Sequence, residues 1–183
     1  MTAKTSIRSR LCALLPTAAA LCLVAAPTLF SSGARANPLK VGEPAPPATL
    51  VTLDGQRIAT ADLAGHVIIL TFWATWCGPC RQELPLLSAY AEQHATDGLM
   101  VLGFSLDGPE DLRKVQAVAQ SLHFPVGLVA HSTLPGYGRI WRIPVNFAID
   151  AQGRLIDNGW KDKEAVWTPE RLESIVTPLL QHR

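Results

Sequence analysis

An uncharged, β-rich run, Val67-Ile68-Ile69-Leu70-Thr71-Phe72, passes through Trp73-Ala74-Thr75-Trp76 into Cys77-Gly78-Pro79-Cys80. An apolar run without alternation marks a strand buried on both faces. Helix signals start at the first cysteine. Pro79 suits a first helical turn, and Leu84, Leu87 and Ala91 recur on one side as far as about His94, with Pro85 expected to kink the rod. Gly98 ends that unit, Leu99 to Phe104 is a second buried strand, and Pro109 to Leu122 a second helix. Strand, helix, strand, helix at this spacing needs crossover connections and parallel pairing, which makes an α/β fold.

The flanking sequence reads differently. Asn37 to Pro47 holds Pro38, Pro44, Pro46 and Pro47 and is an extended lead-in. Thr49 to Leu53 and Gln56 to Ala59 flank Asp54-Gly55, a pair that supplies the positive φ angles of a tight hairpin turn. Downstream, Val126 to Ala130 is a candidate short strand and Leu134 to Trp141 a candidate short helix. Val145 to Ile149 and Arg154 to Asn158 flank Asp150-Ala151-Gln152-Gly153 and read as an antiparallel hairpin. Lys161-Asp162-Lys163-Glu164 reads as a solvated loop. Thr168 as N-cap, Pro169 and Glu170 then start a last helix running to about Leu180.

Residues 1–36 stand apart. Lys4, Arg8 and Arg10 precede Leu11 to Phe30, 20 residues without a charge, and Ala34-Arg35-Ala36 has the small-residue spacing that a signal peptidase reads. The expectation is a secretory signal cut before Asn37, leaving one domain over 37–183. An uncleaved membrane anchor is the alternative, although Pro16 and Pro27 weaken such a helix. Neither Cys12 nor Cys22 follows the small residues a lipoprotein signal needs, since each follows a leucine. Export would place the domain in a periplasmic or other extracytoplasmic space, where disulfides persist. Four of the 16 basic residues leave with the leader, so twelve bases face 15 acids, a net charge of −3. That balance argues against a nucleic-acid partner, which wants a clustered basic surface.

The mature domain keeps Cys77 and Cys80 as its only cysteines. Three apart on the first turn of a helix, they lie close enough for a disulfide. Unpaired amides and partial positive charge at the helix N-terminus favour thiolate, chiefly on Cys77, which makes it the nucleophile. Cys80, one turn in and facing the core, is the resolving thiol. Structural zinc would need about four ligands. There is no second C-x-x-C, and His66, His94, His123, His131 and His182 lack ligand spacing. A purely structural disulfide in so small a loop would restrict the unfolded chain little. Thiol–disulfide exchange without metal or organic cofactor is the chemistry these residues point to.

Trp76-Cys77-Gly78-Pro79-Cys80 after a buried strand resembles the thioredoxin superfamily. The longer Phe-Trp-Ala-Thr-Trp-Cys-x-x-Cys-Arg-x-Glu-x-Pro over 72–85 resembles its extracytoplasmic reductase branch, the TlpA/ResA/CcmG type, and residues 41–181 thread onto that pattern. The resemblance implies a thioredoxin fold with an N-terminal β-hairpin, a central βα insertion and a mixed sheet flanked by helices. It implies a redox-active Cys77–Cys80 disulfide faced by a cis-proline, matched by Ile143-Pro144, and a substrate surface of Trp76, Gly78, Pro79, Ile143 and Pro144. Val145 stands where the family usually has threonine. Glu83 matches an acidic residue that the branch places near its active site. Cytoplasmic thioredoxins carry a buried aspartate where this chain has Thr71, which leaves Glu83 the nearest group for proton transfer. An ordinary exposed helix glutamate is the alternative. Trp73 is read as core and Trp76 as a rim over the disulfide; Tyr137 and Trp141 are read as core, with a groove wall as the alternative.

The activity implied is reduction of disulfides in client proteins, apocytochrome c or copper-site thiols among them, by a monomer recharged by thiol exchange from a membrane reductant. Two rivals use the same cysteines. One is a disulfide oxidant of the same fold, although the spacing leaves no room for the helical insertion that oxidant relatives carry. The other is a copper-binding chaperone, for which no Met or His stands near the thiol pair in sequence.

Overall fold

The computed structural model describes residues 39–161 and 166–181. The expected leader, and most of the loop expected at 161–164, lie outside these residues. β1 (Thr49–Val51) and β2 (Arg57–Ala59) precede β3 (Val67–Trp73), α1 (Gly78–Gln93), β4 (Leu99–Ser105), α2 (Leu112–Ala119) and β5 (Val126–Leu128). Then follow β6 (Val145–Ile149), β7 (Leu155–Asn158), α3 (Pro169–Ile175) and α4 (Thr177–Gln181). Five strands form one sheet in the order β5-β4-β3-β6-β7. β3, β4 and β5 are parallel, while β6 and β7 run antiparallel. The fold is thus a thioredoxin-like mixed sheet with helices, and β3, buried along its whole length, is its centre.

Period-two alternation divides the core. Val67, Ile69 and Trp73 of β3 join Leu84 and Leu87 of α1, Val115 of α2, Leu172 of α3 and Leu180 of α4. Ile68, Leu70 and Phe72 point the other way, onto Leu102, Phe104, Tyr137, Phe147 and Leu155. All four α-helices therefore serve one face of the sheet. The other is covered by Leu50 of the hairpin and by the segment carrying Tyr137.

The hairpin is a separate two-stranded sheet. It is tied to the edge beside β5: Leu53 N donates to Val126 O at 3.0 Å, and Thr49 and Thr133 exchange amide bonds of 2.8 and 2.9 Å. Gly127 makes room for it, because a Cβ there would stand 1.9 Å from Val51 O.

Three sequence expectations are corrected. Leu134–Trp141 is irregular rather than helical, since Gly136 and Gly138 take φ of 95° and 77° on either side of Tyr137, with Pro135 just before them. The last helix is two pieces, interrupted at Val176 just before Thr177-Pro178, where proline cannot donate to the ladder. The second helix opens as a 3₁₀ turn over Pro109–Asp111 before α2.

Candidate active site at the end of the central strand

β3 delivers the chain to Cys77 at the sheet's carboxyl edge, and α1 starts there. Cys77 is the N-cap of α1, with extended backbone (φ −86°, ψ 104°), and its Sγ accepts the Cys80 amide at 3.2 Å. In the reduced protein, a backbone amide donating to that sulfur is a contact that favours thiolate over thiol. The sulfurs are bonded at 2.01 Å, with Cα atoms 5.3 Å apart. Both cysteines are buried, at 6% and 1% exposure, whereas Trp76 is 68% exposed and Gly78 and Pro79 are exposed beside it.

The loop leading to Cys77 is pinned by a residue that the sequence did not single out. Asp107, buried just past β4, accepts from Thr75 N at 2.9 Å, from Thr75 Oγ1 at 2.6 Å and from Ser105 Oγ at 2.7 Å. Leu106 N also donates to Trp73 O at 2.8 Å. The approach to Cys77 is thereby tied to the end of the neighbouring parallel strand.

Glu83 sits one turn beyond Cys80 on the same face of α1. It is 3% exposed, which rules out the alternative of an exposed helix glutamate. Oε1 accepts from Asn146 Nδ2 at 2.6 Å, and Oε2 is buried as well. Asn146 stands opposite Thr71 in the β3–β6 register. Both belong to the face that α1 covers, as Ile69 and Ala148, two residues away, show by joining the α1 cluster. Burial pushes the Glu83 carboxyl up to about 7, while the Asn146 amide, the Trp167 backbone and the Arg171 charge pull it down. Arg171 is itself engaged by both oxygens of Asp157 at 2.8 Å and lies 4.8 Å from the Trp167 ring centroid. Asn146 was also missed. The signal for it is a polar residue between Val145 and Phe147 in a strand otherwise apolar.

The Ile143–Pro144 peptide is cis, as the resemblance implied. The register that sets Val145 opposite Phe72 brings it alongside the strand end that feeds Cys77. Ile143 and Trp76 line one groove of about 470 Å³ with Leu106, Arg139, Trp141 and Arg142. Trp73 and Tyr137 are fully buried, but Trp141, read as core, is 73% exposed. The glycine turns carry it outward, where it stacks on Trp160 at 5.8 Å between centroids. Among the described residues no group of three His, Cys, Asp or Glu side chains could hold a metal ion, and no helix is long and apolar enough to cross a membrane.

A family model described as the AhpC/TSA family matches residues 41–157. The thiol-disulfide oxidoreductase ResA of Bacillus cereus is 28% identical over 119 residues, covering 65% of this chain and 69% of its own length. The thioredoxin-like protein YneN of Bacillus subtilis is 32% identical over 122 residues, covering 65% and 71%. A crystal structure of a thiol:disulfide interchange protein of the thioredoxin family from Chlorobium tepidum is similar at a TM-score of 0.62 and 29% identity, covering 80% of this chain and 99% of that one.

Proposed function

The chain belongs to the AhpC/TSA family and is a protein thiol–disulfide oxidoreductase; from that premise we propose that it reduces disulfides of client proteins outside the cytoplasm through Cys77 and Cys80. The Cys77 thiolate attacks one sulfur of the client disulfide. That S–S bond breaks, one client sulfur leaves as a thiolate and takes a proton, and the other is held on Cys77 as a mixed disulfide. Cys80 passes its proton to the Glu83 carboxylate and attacks Cys77 Sγ. The second client sulfur is expelled and protonated, and Cys77–Cys80 closes. Two electrons and two protons have then reached the client. A membrane dithiol, expected from the family resemblance, restores the pair by the same exchange. Trp76, Gly78, Pro79, Ile143 and Pro144 form the surface that meets the client.

The buried Glu83 carboxyl beside Cys80 carries the direction of this reading. A negative charge held there opposes a second one on sulfur, which raises the thiol pKa values and makes the dithiol the stronger electron donor. The basic start, apolar run and Ala34-Arg35-Ala36 of the leader support export, with the mature domain a monomer. Apocytochrome c and copper-site cysteines are the clients the branch resemblance points to. Equilibration with glutathione buffers tests the direction. A reduction potential below the poise of the receiving compartment is expected, and one near or above it would make the protein an oxidant of the same fold. About 30 mV of difference is worth roughly 1.4 kcal/mol.

A further inference from the structure

We infer that the groove beside the disulfide selects client segments carrying acidic residues next to the reactive cysteine; this rests on the reductase reading above and names its substrate class. Arg139-Ile140-Trp141-Arg142 runs directly into Ile143-Pro144, so a chain crossing Ile143 toward Cys77 must also cross these side chains. Trp141 is exposed yet held in place. It stacks on Trp160 at an interplanar angle of 10°, and the Arg142 guanidinium lies 5.7 Å from both ring centroids while donating to Gly159 O at 2.5 Å. An ordered aromatic surface costs little further entropy when a client docks on it.

Exposed large apolar side chains among the described residues are Val41, Trp76 and Trp141, and the two tryptophans both line this groove. Such a surface is not needed to fill the core, because Trp160 beneath it already packs on Phe147 at 6.0 Å and donates from its indole to Tyr137 O. A second groove of about 510 Å³ opens on the other side of Trp141, lined by Arg139, Trp160 and Lys161 among others. Among the described residues, Arg139, Arg142 and Lys161 are the charged ones lining the two grooves, and no described carboxylate lines either. This local positive surface runs against the net −3 of the domain that remains after the leader. Arginine forks match carboxylates in a bidentate geometry, and a cleft lined by one sign of charge raises the encounter rate of the opposite sign. The occupant is therefore an extended client segment with Asp or Glu within a few residues of the cysteine that bonds Cys77.

The test uses peptides whose single cysteine is disulfide-linked to a fluorescent thiol and flanked by Asp, Ser or Lys, reduced by the mature dithiol protein under dithiothreitol recycling. At low ionic strength kcat/KM for the Asp peptide should exceed that for the Lys peptide roughly ten-fold, the low end of what a charged cleft provides. Arg139→Glu should bring the ratio to one or below. Arg57→Glu, the same charge change on β2 outside both grooves, should keep it. The preference should collapse in 1 M salt, where the screening length is about 3 Å. A ratio near one in the unaltered protein, or one that Arg139→Glu leaves intact or Arg57→Glu lowers equally, would overturn the inference alone. Failure to reduce any of the peptides would overturn the reductase reading and this inference with it.

Discussion

Glu83 is a carboxyl group with almost no water, one amide donor on Oε1 and a titration pushed up to about 7. Near neutral pH it can therefore both accept and release a proton, which is what exchange at Cys80 requires. Client reduction by the unaltered protein should rise as pH passes through about 7, because in the proposed exchange it is the ionised carboxyl that takes the Cys80 proton. Glu83→Gln keeps an oxygen for Asn146 to donate to and removes the charge. It should let the Cys77 thiolate form at lower pH and slow client reduction roughly 10- to 100-fold, the usual worth of a positioned base. Thiolate absorbance against pH, with reduction rates for both forms, reads this out. An unchanged titration and rate would leave Glu83 a structural residue. The cysteine pair was legible from the motif, since strand, proline and helix start fix the place of Cys77. The burial of Glu83 was not legible, because it depends on Asn146, 63 residues away in sequence and on a different element.

Among the elements, those with strong local signals formed as read. The apolar runs became β3 and β4, Asp54-Gly55 turned the hairpin, and Thr168 capped α3 by accepting from Arg171 N at 3.2 Å. The segment over 134–141, expected as a short helix, failed for a local reason too: two glycines with positive φ do not continue a helix. Asp107 was invisible for another reason. Ser105-Leu106-Asp107-Gly108 carries no local motif, and only the parallel pairing of β3 with β4 sets Asp107 beside Thr75. It acts as a positioning residue for the β3–α1 connection. Asp107→Ala would strip partners from the Thr75 amide, the Thr75 hydroxyl and the Ser105 hydroxyl. With buried donors left unsatisfied at about 1–3 kcal/mol each, and water able to relieve some of them, a loss of about 2–4 kcal/mol in urea unfolding is expected. Cys77 should also trap clients more slowly, because its loop is no longer held. Asp107→Asn, which keeps an acceptor, should recover part of both, whereas a purely remote packing role would leave the trapping rate unmoved.

For the domain as a whole, a poised carboxyl inside the core makes stability depend on pH. The folded Glu83 titrates near 7 and the unfolded one near 4.5. Between those values the native state keeps a proton that the unfolded chain has released, so unfolding releases a proton and stability falls as pH rises. Each pH unit in that window is worth about 1.4 kcal/mol, which accumulates to roughly 3 kcal/mol by pH 8. Other groups add their own slopes. Asp54 and Glu170 are held below their ordinary values by hydrogen bonding, and Tyr90 is raised by burial. All of them remain in Glu83→Gln, so the difference between the two proteins isolates Glu83. Urea unfolding of both oxidised forms from pH 4.5 to 8.5 should give a difference that grows by about 3 kcal/mol in favour of the glutamine variant, with most of the change between pH 5 and 7. A domain of thioredoxin fold has only about 5–15 kcal/mol to lose, so a burden of that size at neutral pH is a large share retained for the sake of the site. A difference that stays flat across the range would mean that the carboxyl ionises as freely in the fold as in water, and the proton-transfer role assigned to it would go with it.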